Sequence, residues 1–223
     1  RFTLISNSDC HSPAKLGREA NIFQSDFSFQ GMRRAMEDPG ADDGGQDFLA
    51  TIEFFPEEGK YHLDGHRKCS VCWNPEETRD HAGICPVCGK GVTVGVMSRV
   101  MELADRERPL HPESAPAVYS LTPLPELLSE LLQVGPTSKK VMRRYASLVS
   151  TFGSEFSLLL DVDLEEIEKI SPLLGEAIRR LRSGQVIRQS GFDGSFGRIK
   201  LFTARELSEL TGDRTDPLFG GQR

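Results

Sequence analysis

No stretch of this chain approaches the ~20 consecutive apolar residues that a membrane-spanning helix requires. Its first residues do not read as a secretory signal, so no membrane partner is expected. Cysteine is sparse, five in 223 residues. Four of the five fall in two tight pairs, which favours a reducing, cytoplasmic setting over a secreted, disulfide-stapled one. Internal repeats and low-complexity blocks are lacking. A formal net charge of -6 argues mildly against nucleic acid, but binding depends on local patches rather than on the sum. With 38% hydrophobic and 27% charged residues, the composition is that of a soluble globular protein.

What is present centres on Cys69-Ser70-Val71-Cys72 and, twelve residues later, Cys85-Pro86-Val87-Cys88-Gly89. Two Cys-x-x-Cys pairs at this distance can set four thiolates around a tetrahedral zinc with arms of about 2.3 Å. Gly89 lets the backbone turn back under the metal. Two disulfides, or a redox pair, are the other uses of such spacing. Four cysteine ligands leave no open coordination position, so the expected zinc is structural.

The chain opens on Arg1 rather than Met and runs straight into apolar residues, so we expect the C-terminal part of a longer protein. Phe2-Thr3-Leu4-Ile5 reads as a strand that delivers Asp9-Cys10-His11 and stops at Ser12-Pro13. Residues two apart on an extended backbone face the same side, so Asp9 and His11 can reach one ion. Such an ion would polarise a phosphoryl oxygen and acidify a bound water. A solvated turn with an Asx cap is the bland alternative. Ser28 caps a short helix, a glycine-rich loop spans 38–45, and a strand over 46–55 offers Phe48, Ile52, Phe54 and Phe55 to a core.

Lys60-Tyr61-His62-Leu63-Asp64-Gly65-His66-Arg67-Lys68 packs cations, histidines and an aromatic ring into one loop. Held by a knuckle, it can offer phosphate contacts through Lys60, Arg67 and Lys68 and a stacking surface at Tyr61. It can equally be a solvated connector. A strand over 92–94 and a helix over 96–103 follow, then a polar linker over 106–116. Leucines at helical spacing predict a helix capped by Thr122, and Ser138 opens a second that Gly153 closes. The second carries Lys139, Lys140, Arg143 and Arg144 on one face, with no acid between Ser138 and Phe152. Phe156–Leu160 reads as a strand, Asp163 with Glu166 as a helix cap, and Ser171-Pro172 as the start of a helix that turns Arg179, Arg180 and Arg182 outward. The basic faces are either solvated or track a nucleic-acid backbone through counterion release. A hairpin around Gly191-Phe192-Asp193-Gly194, a helix capped by Thr203 and Glu206, and a tail over 211–223 complete the chain.

Together, Ile5-Ser6-Asn7-Ser8-Asp9-Cys10-His11-Ser12-Pro13, Leu16-Gly17-Arg18-Glu19, Lys60 to Arg67, the second knuckle, Arg99 to Asp105, Ser138-Lys139-Lys140-Val141, Phe152 to Phe156 and Gly191 to Gly194 resemble the endonuclease Q family. The similarity runs over essentially the whole chain. It implies an α/β fold: the C-terminal part of a PHP-type distorted β/α barrel (1–58), a four-cysteine zinc-binding domain (59–110) and a helical DNA-binding domain with a small hairpin (111–210). It also implies a metal-dependent endodeoxyribonuclease that cleaves 5′ to deaminated bases, uracil or hypoxanthine, or at abasic sites. Asp9 and His11 would be the last ligands of a PHP site holding zinc, manganese or magnesium, and Cys69, Cys72, Cys85 and Cys88 would hold the structural zinc. The remaining ligands, starting with a His-x-His pair, would precede Arg1, leaving this fragment inactive alone. Arg18 and the loop residues, including His62, Asp64 and His66, would border the DNA cleft. Cys10 stands where the family pattern suggests alanine. DNA with a damaged base is the implied partner, with a helicase domain or other repair proteins as further candidates. Two other classes compete: a non-catalytic zinc module that binds DNA or protein, and a phosphoesterase for a small phosphorylated metabolite.

Overall fold

The computed structural model describes residues 3–37, 39–40, 47–112, 115–211, 216 and 218. Most of the 38–45 loop and of the 211–223 tail lies outside the described residues. The strands are β1 (Ala20–Gln24), β2 (Asp47–Glu53), β3 (Asp64–His66), β4 (Val71–Trp73), β5 (Ala117–Ser120), β6 (Ile187–Gln189) and β7 (Arg198–Lys200). The helices are α1 (Phe29–Glu37), α2 (Pro75–Asp80), α3 (Val96–Leu103), α4 (Leu124–Leu132), α5 (Lys139–Phe152), α6 (Leu164–Ile170), α7 (Pro172–Arg182) and α8 (Ala204–Thr211). The chain forms two compact units: Arg1–Phe54 with Leu103–Leu121, and Phe55–Glu102 with Thr122–Arg223. None of the described helices is long and apolar enough to cross a membrane.

The first unit is a three-stranded sheet in the order β1-β2-β5, with β1 antiparallel and β5 parallel to β2. β2 reads Asp-Phe-Leu-Ala-Thr-Ile-Glu; Phe48, Ala50 and Ile52 are buried, and the Phe48 ring stacks on Phe23 at 4.7 Å. The Ser28 hydroxyl accepts the Gly31 N–H and starts α1 as expected. Phe54, expected in the core, is 46% exposed. The expected strand over 2–5 does not form among the described residues: 3–10 carry no regular structure, and Leu4 and Ile5 lie exposed. A strand needs a ladder partner, and what holds this segment is instead the Asn21 amide, which bonds both the N–H and the carbonyl of Ser6. The fold is mixed α/β, and no described sheet closes, so the described residues form no barrel.

The second unit is mainly helical. α4 packs on α5 and α7, and α6 packs on α7. Leu124, Leu127, Leu128, Leu131, Val141, Leu148, Ile167, Leu174, Ile178 and Leu181 fill the space between them, each worth about 1.5–3 kcal/mol when fully buried. The Ser138 hydroxyl caps α5, and Gly153, at φ 86, closes it. Thr122 does not cap α4: the Glu155 carboxylate reaches across to accept the Leu124 N–H at 2.8 Å, and the Thr122 hydroxyl is buried without a partner.

Ser157–Asp161 forms a π-helical turn rather than the expected strand. A short apolar run cannot be told from a buried helical one by pattern. The wide turn buries Leu158 and Leu159 together, and its carbonyls find a cation. Arg182 donates to Leu158, Leu159 and Val162 at 3.1, 3.0 and 2.7 Å. Arg182 therefore does not face outward. The Asp163 side chain makes no cap bond, and Glu166 pairs with Lys169 instead. β6 and β7 pair antiparallel, as the hairpin reading requires, and Thr203 with Glu206 forms a reciprocal cap on α8.

Candidate metal centre and nucleic-acid surface

β3 ends at His66 and runs into a 3₁₀ turn over Arg67–Cys69; Ser70, at φ 55, reverses the chain into β4. The second knuckle is built by the Cys85 N–H donating to the Lys90 carbonyl and the Gly89 N–H donating to the Cys85 carbonyl, with Gly89 at φ 72. These turns gather one donor atom each from His66, Cys69, Cys85 and Cys88, all within 4.8 Å of one another. Cys85 is fully buried, and Cys88 Sγ lies 3.4 Å from His66 Nδ1. Burial opposes ionisation of Cys85, yet the Cys88 and Val87 N–H groups and the His66 ring hold its pKa down to about 6. Cys69 is pushed up to about 11, first by burial and then by the neighbouring Cys88 and Cys85. Three thiols and an imidazole converging in this way are a donor set suited to a closed, tetrahedral soft-metal site.

Cys72 is where the structure departs from the expected set. It sits in β4 opposite Gly65, exposed, between the buried Val71 and the half-buried Trp73. Strand alternation turns Val71 to the interior and Cys72 away from it. His66 takes the fourth place. Its nearness in sequence to Cys69 was visible, but not that the β3 strand would direct its ring to the sulfurs.

The loop over 60–68 is stitched to the β6–β7 connection. The Leu63 N–H donates to Gly191, and the N–H groups of Gly191, Gly194 and Gly197 donate to Glu57, Lys60 and Glu58. A Cβ on Gly197 would lie 2.0 Å from the Glu57 carbonyl oxygen, so only glycine allows this approach. Asp193 accepts the Arg67 N–H at 2.7 Å and the Thr93 hydroxyl at 2.6 Å. Those bonds, the Thr93 hydroxyl foremost, hold its carboxyl below the usual range. The sequence offered no sign that this turn organises the knuckle.

Of the loop residues expected at a DNA surface, Lys60, Tyr61, Arg67 and Lys68 are exposed and His62 is half-buried. Asp64 is fully buried; it accepts the Gly95 N–H and the Ser98 hydroxyl and anchors the start of α3. It is a capping group and not a surface contact. On α5, Lys139, Lys140 and Arg143 are exposed, while Arg144 is half-buried and donates to the Leu218 carbonyl. The arginines of α7 are engaged: Arg179 with Glu176; Arg180 with Glu176, Glu206, the Leu201 carbonyl and the Phe202 ring; Arg182 with the π-turn. The second basic face is thus a set of internal cross-links.

In the first unit Asp9 and His11 are exposed and Arg18 is half-buried. Asp9 has φ 42, so the extended backbone that would align it with His11 is interrupted there. Among the described residues, the group of three or more donors able to share an ion is the His66 cluster.

Residues 68–90 match the heavy metal binding domain model, and residues 123–185 match the MJ0043 C-terminal domain model. The chain is 32% identical over 203 residues to the uncharacterized protein MJ0043 of Methanocaldococcus jannaschii, covering 87% of this chain and 25% of that protein. It is 29% identical over 207 residues to the uncharacterized protein YqxK of Bacillus subtilis, covering 89% of this chain and 47% of that one. Among solved structures it resembles the lesion-specific endonuclease PfuEndoQ from Pyrococcus furiosus, with a TM-score of 0.79, 30% identity, and coverage of 93% of this chain and 52% of that one. Endonuclease Q in complex with a 27-mer duplex bearing an abasic lesion matches with a TM-score of 0.75 and 30% identity over 94% of this chain and 52% of that one. The chain thus spans a quarter to about half of the proteins it matches. The endonuclease Q resemblance carried by the sequence motifs extends to the three-dimensional fold.

Proposed function

We propose that this chain is the zinc-binding and helical portion, with an adjoining α/β segment, of a DNA-repair endonuclease of the endonuclease Q type. The observation that carries the reading is the match in fold over nearly the whole chain to a lesion-specific endonuclease and to an endonuclease Q complex with a duplex bearing an abasic lesion. The metal at the His66, Cys69, Cys85 and Cys88 cluster is zinc and structural, because these donors leave no position for a substrate. Lys139 and Arg143 on α5 and the Lys60–Lys68 loop grip the DNA backbone. Asp9 and His11, with ligands from outside this chain, hold the ions that activate water at the phosphodiester. The lesion is uracil, hypoxanthine or an abasic site, drawn out of the stack before cleavage.

The test uses the longer protein on duplexes bearing uracil, hypoxanthine or an abasic site. Metal-dependent nicking 5′ to the lesion is expected, and Asp9→Ala with His11→Ala is expected to abolish it while the circular dichroism spectrum stays unchanged. A folded double variant that still nicks would overturn the catalytic assignment. A second reading, a non-catalytic zinc-containing DNA-binding module, is favoured by one observation: the two carboxylate and imidazole donors stand apart from any third ligand among the described residues. Lesion binding without nicking by the longer protein would select it.

A further inference from the structure

Phe196 is 74% exposed and lies between two residues whose backbones are hydrogen-bonded to the rest of the unit. Ser195 exchanges N–H and carbonyl bonds with Phe192, and the Gly197 N–H donates to Glu58. These bonds fix the chain on both sides of an apolar ring that faces solvent. Lys60 Nζ lies 5.8 Å from the Phe196 ring centre and 5.6 Å from that of Tyr61, which is itself 45% exposed. The ammonium therefore bridges two aromatic rings that both stay open to solvent. Arg67 and Lys68 are exposed on the same loop, and Arg198 and Lys200 on β7. The carboxylate stitched into this surface, Asp193, is already occupied by Thr93 and the Arg67 N–H. Solvent-facing rings interleaved with cations are what an unstacked nucleotide selects: every base has a face to stack, and its phosphate needs a cation. An apolar protein partner would instead avoid the Lys60 ammonium.

We propose that Tyr61, Lys60 and Phe196 form a stacking tip that takes unpaired bases of opened or single-stranded DNA, with Arg67 and Lys68 against the adjacent phosphates. The proposal rests on the DNA-binding reading above and adds to it a preference for unstacked over intact duplex DNA, lodged in Phe196. A stacked base is worth about 5- to 150-fold in affinity.

The test measures binding of a fluorescein-labelled oligo(dT) and of an undamaged blunt duplex to this chain by fluorescence anisotropy. Phe196→Ala is expected to weaken oligo(dT) binding at least about 5-fold while changing duplex binding by less than about 2-fold. Phe196→Trp is expected to restore it, with an indole emission quenched by oligo(dT) beyond the response of the wild type, whose single tryptophan is Trp73. Wild-type affinity in a folded Phe196→Ala protein, or equal losses on both DNAs, overturns the tip and leaves the DNA-binding reading standing. Failure of the wild-type chain to bind either DNA at low salt overturns both.

Discussion

Removing the metal is the perturbation to which this structure is most sensitive. Among the described residues between Phe55 and Leu121, Val71 is the one buried aliphatic side chain, worth about 1.5–3 kcal/mol. Structural zinc in small modules is worth about 10–16 kcal/mol at neutral pH, so metal dominates the stability of the knuckle. The helices of the second unit have their own leucine core and do not depend on it. Chelation is therefore expected to open β3, β4 and the Cys85–Gly89 turn while α4 to α8 stay folded. Two readouts follow this. Amide exchange should accelerate at Gly65, Cys85 and Thr93, whose N–H groups close the module. Emission of Trp73, stacked on His81 at 4.3 Å, should change in step with metal release. The donor set is tested in the same protein: Cys72→Ser should keep one equivalent of metal. His66→Ala should weaken binding beyond the about 10–100-fold lost when only an outer hydrogen-bond partner of a ligand is removed. Substitution by cobalt(II) should give a spectrum of three thiolates and one nitrogen. A metal-free protein with unchanged exchange and emission would refute the energetic argument. Loss of metal in Cys72→Ser with retention in His66→Ala would refute the donor set.

Two further predictions concern the helices. Arg182→Ala removes charged hydrogen bonds to three carbonyls, each worth about 1.5–3 kcal/mol net; since one guanidinium serves all three, a loss of about 3 kcal/mol is expected in urea unfolding, and a change under about 0.5 kcal/mol, the scale of an ordinary surface substitution, would show that water replaces it. Glu206 is held down to about 2, first by the Thr203 N–H, then by the Thr203 hydroxyl and Arg180. Its folded pKa lies below the unfolded value of about 4.3, so its stabilisation is present above that value and lost as pH falls toward about 2. Glu206→Gln should flatten that part of the acid limb of a stability-against-pH curve; an identical limb would rule the coupling out.

What the sequence disclosed tracks what is local. Ser138 and Gly153 bound α5, Thr203 and Glu206 start α8, and the hairpin around Gly191–Gly194 could be read from capping and turn chemistry within a few residues. Three of the four knuckle cysteines converge as their spacing implies. What escaped depends on distant partners. Glu155 supplants Thr122 as the cap of α4 from 31 residues away. Arg182 turns inward because the π-turn presents carbonyls to it, a turn that its apolar run does not advertise. Asp64 reads in the sequence as a surface carboxylate, but only the fold puts Gly95 and Ser98 against it. His66 joins the sulfurs through strand geometry that spacing does not encode.

The pairing of β5 with β2, Ala50 opposite Ala117 through Glu53 opposite Ser120, has a practical corollary. The whole knuckle is spliced into the interval between these two neighbouring strands, and the polypeptide enters and leaves the first unit around it. Trimming at Phe55 to isolate the knuckle and helices would strip β5 of its ladder with β2 and bare the Leu121 N–H, which donates to the Glu53 carbonyl. A cleaner dissection excises 55–102, bridges Phe54 to Leu103 with a short flexible segment, and keeps both edges of the sheet in one molecule.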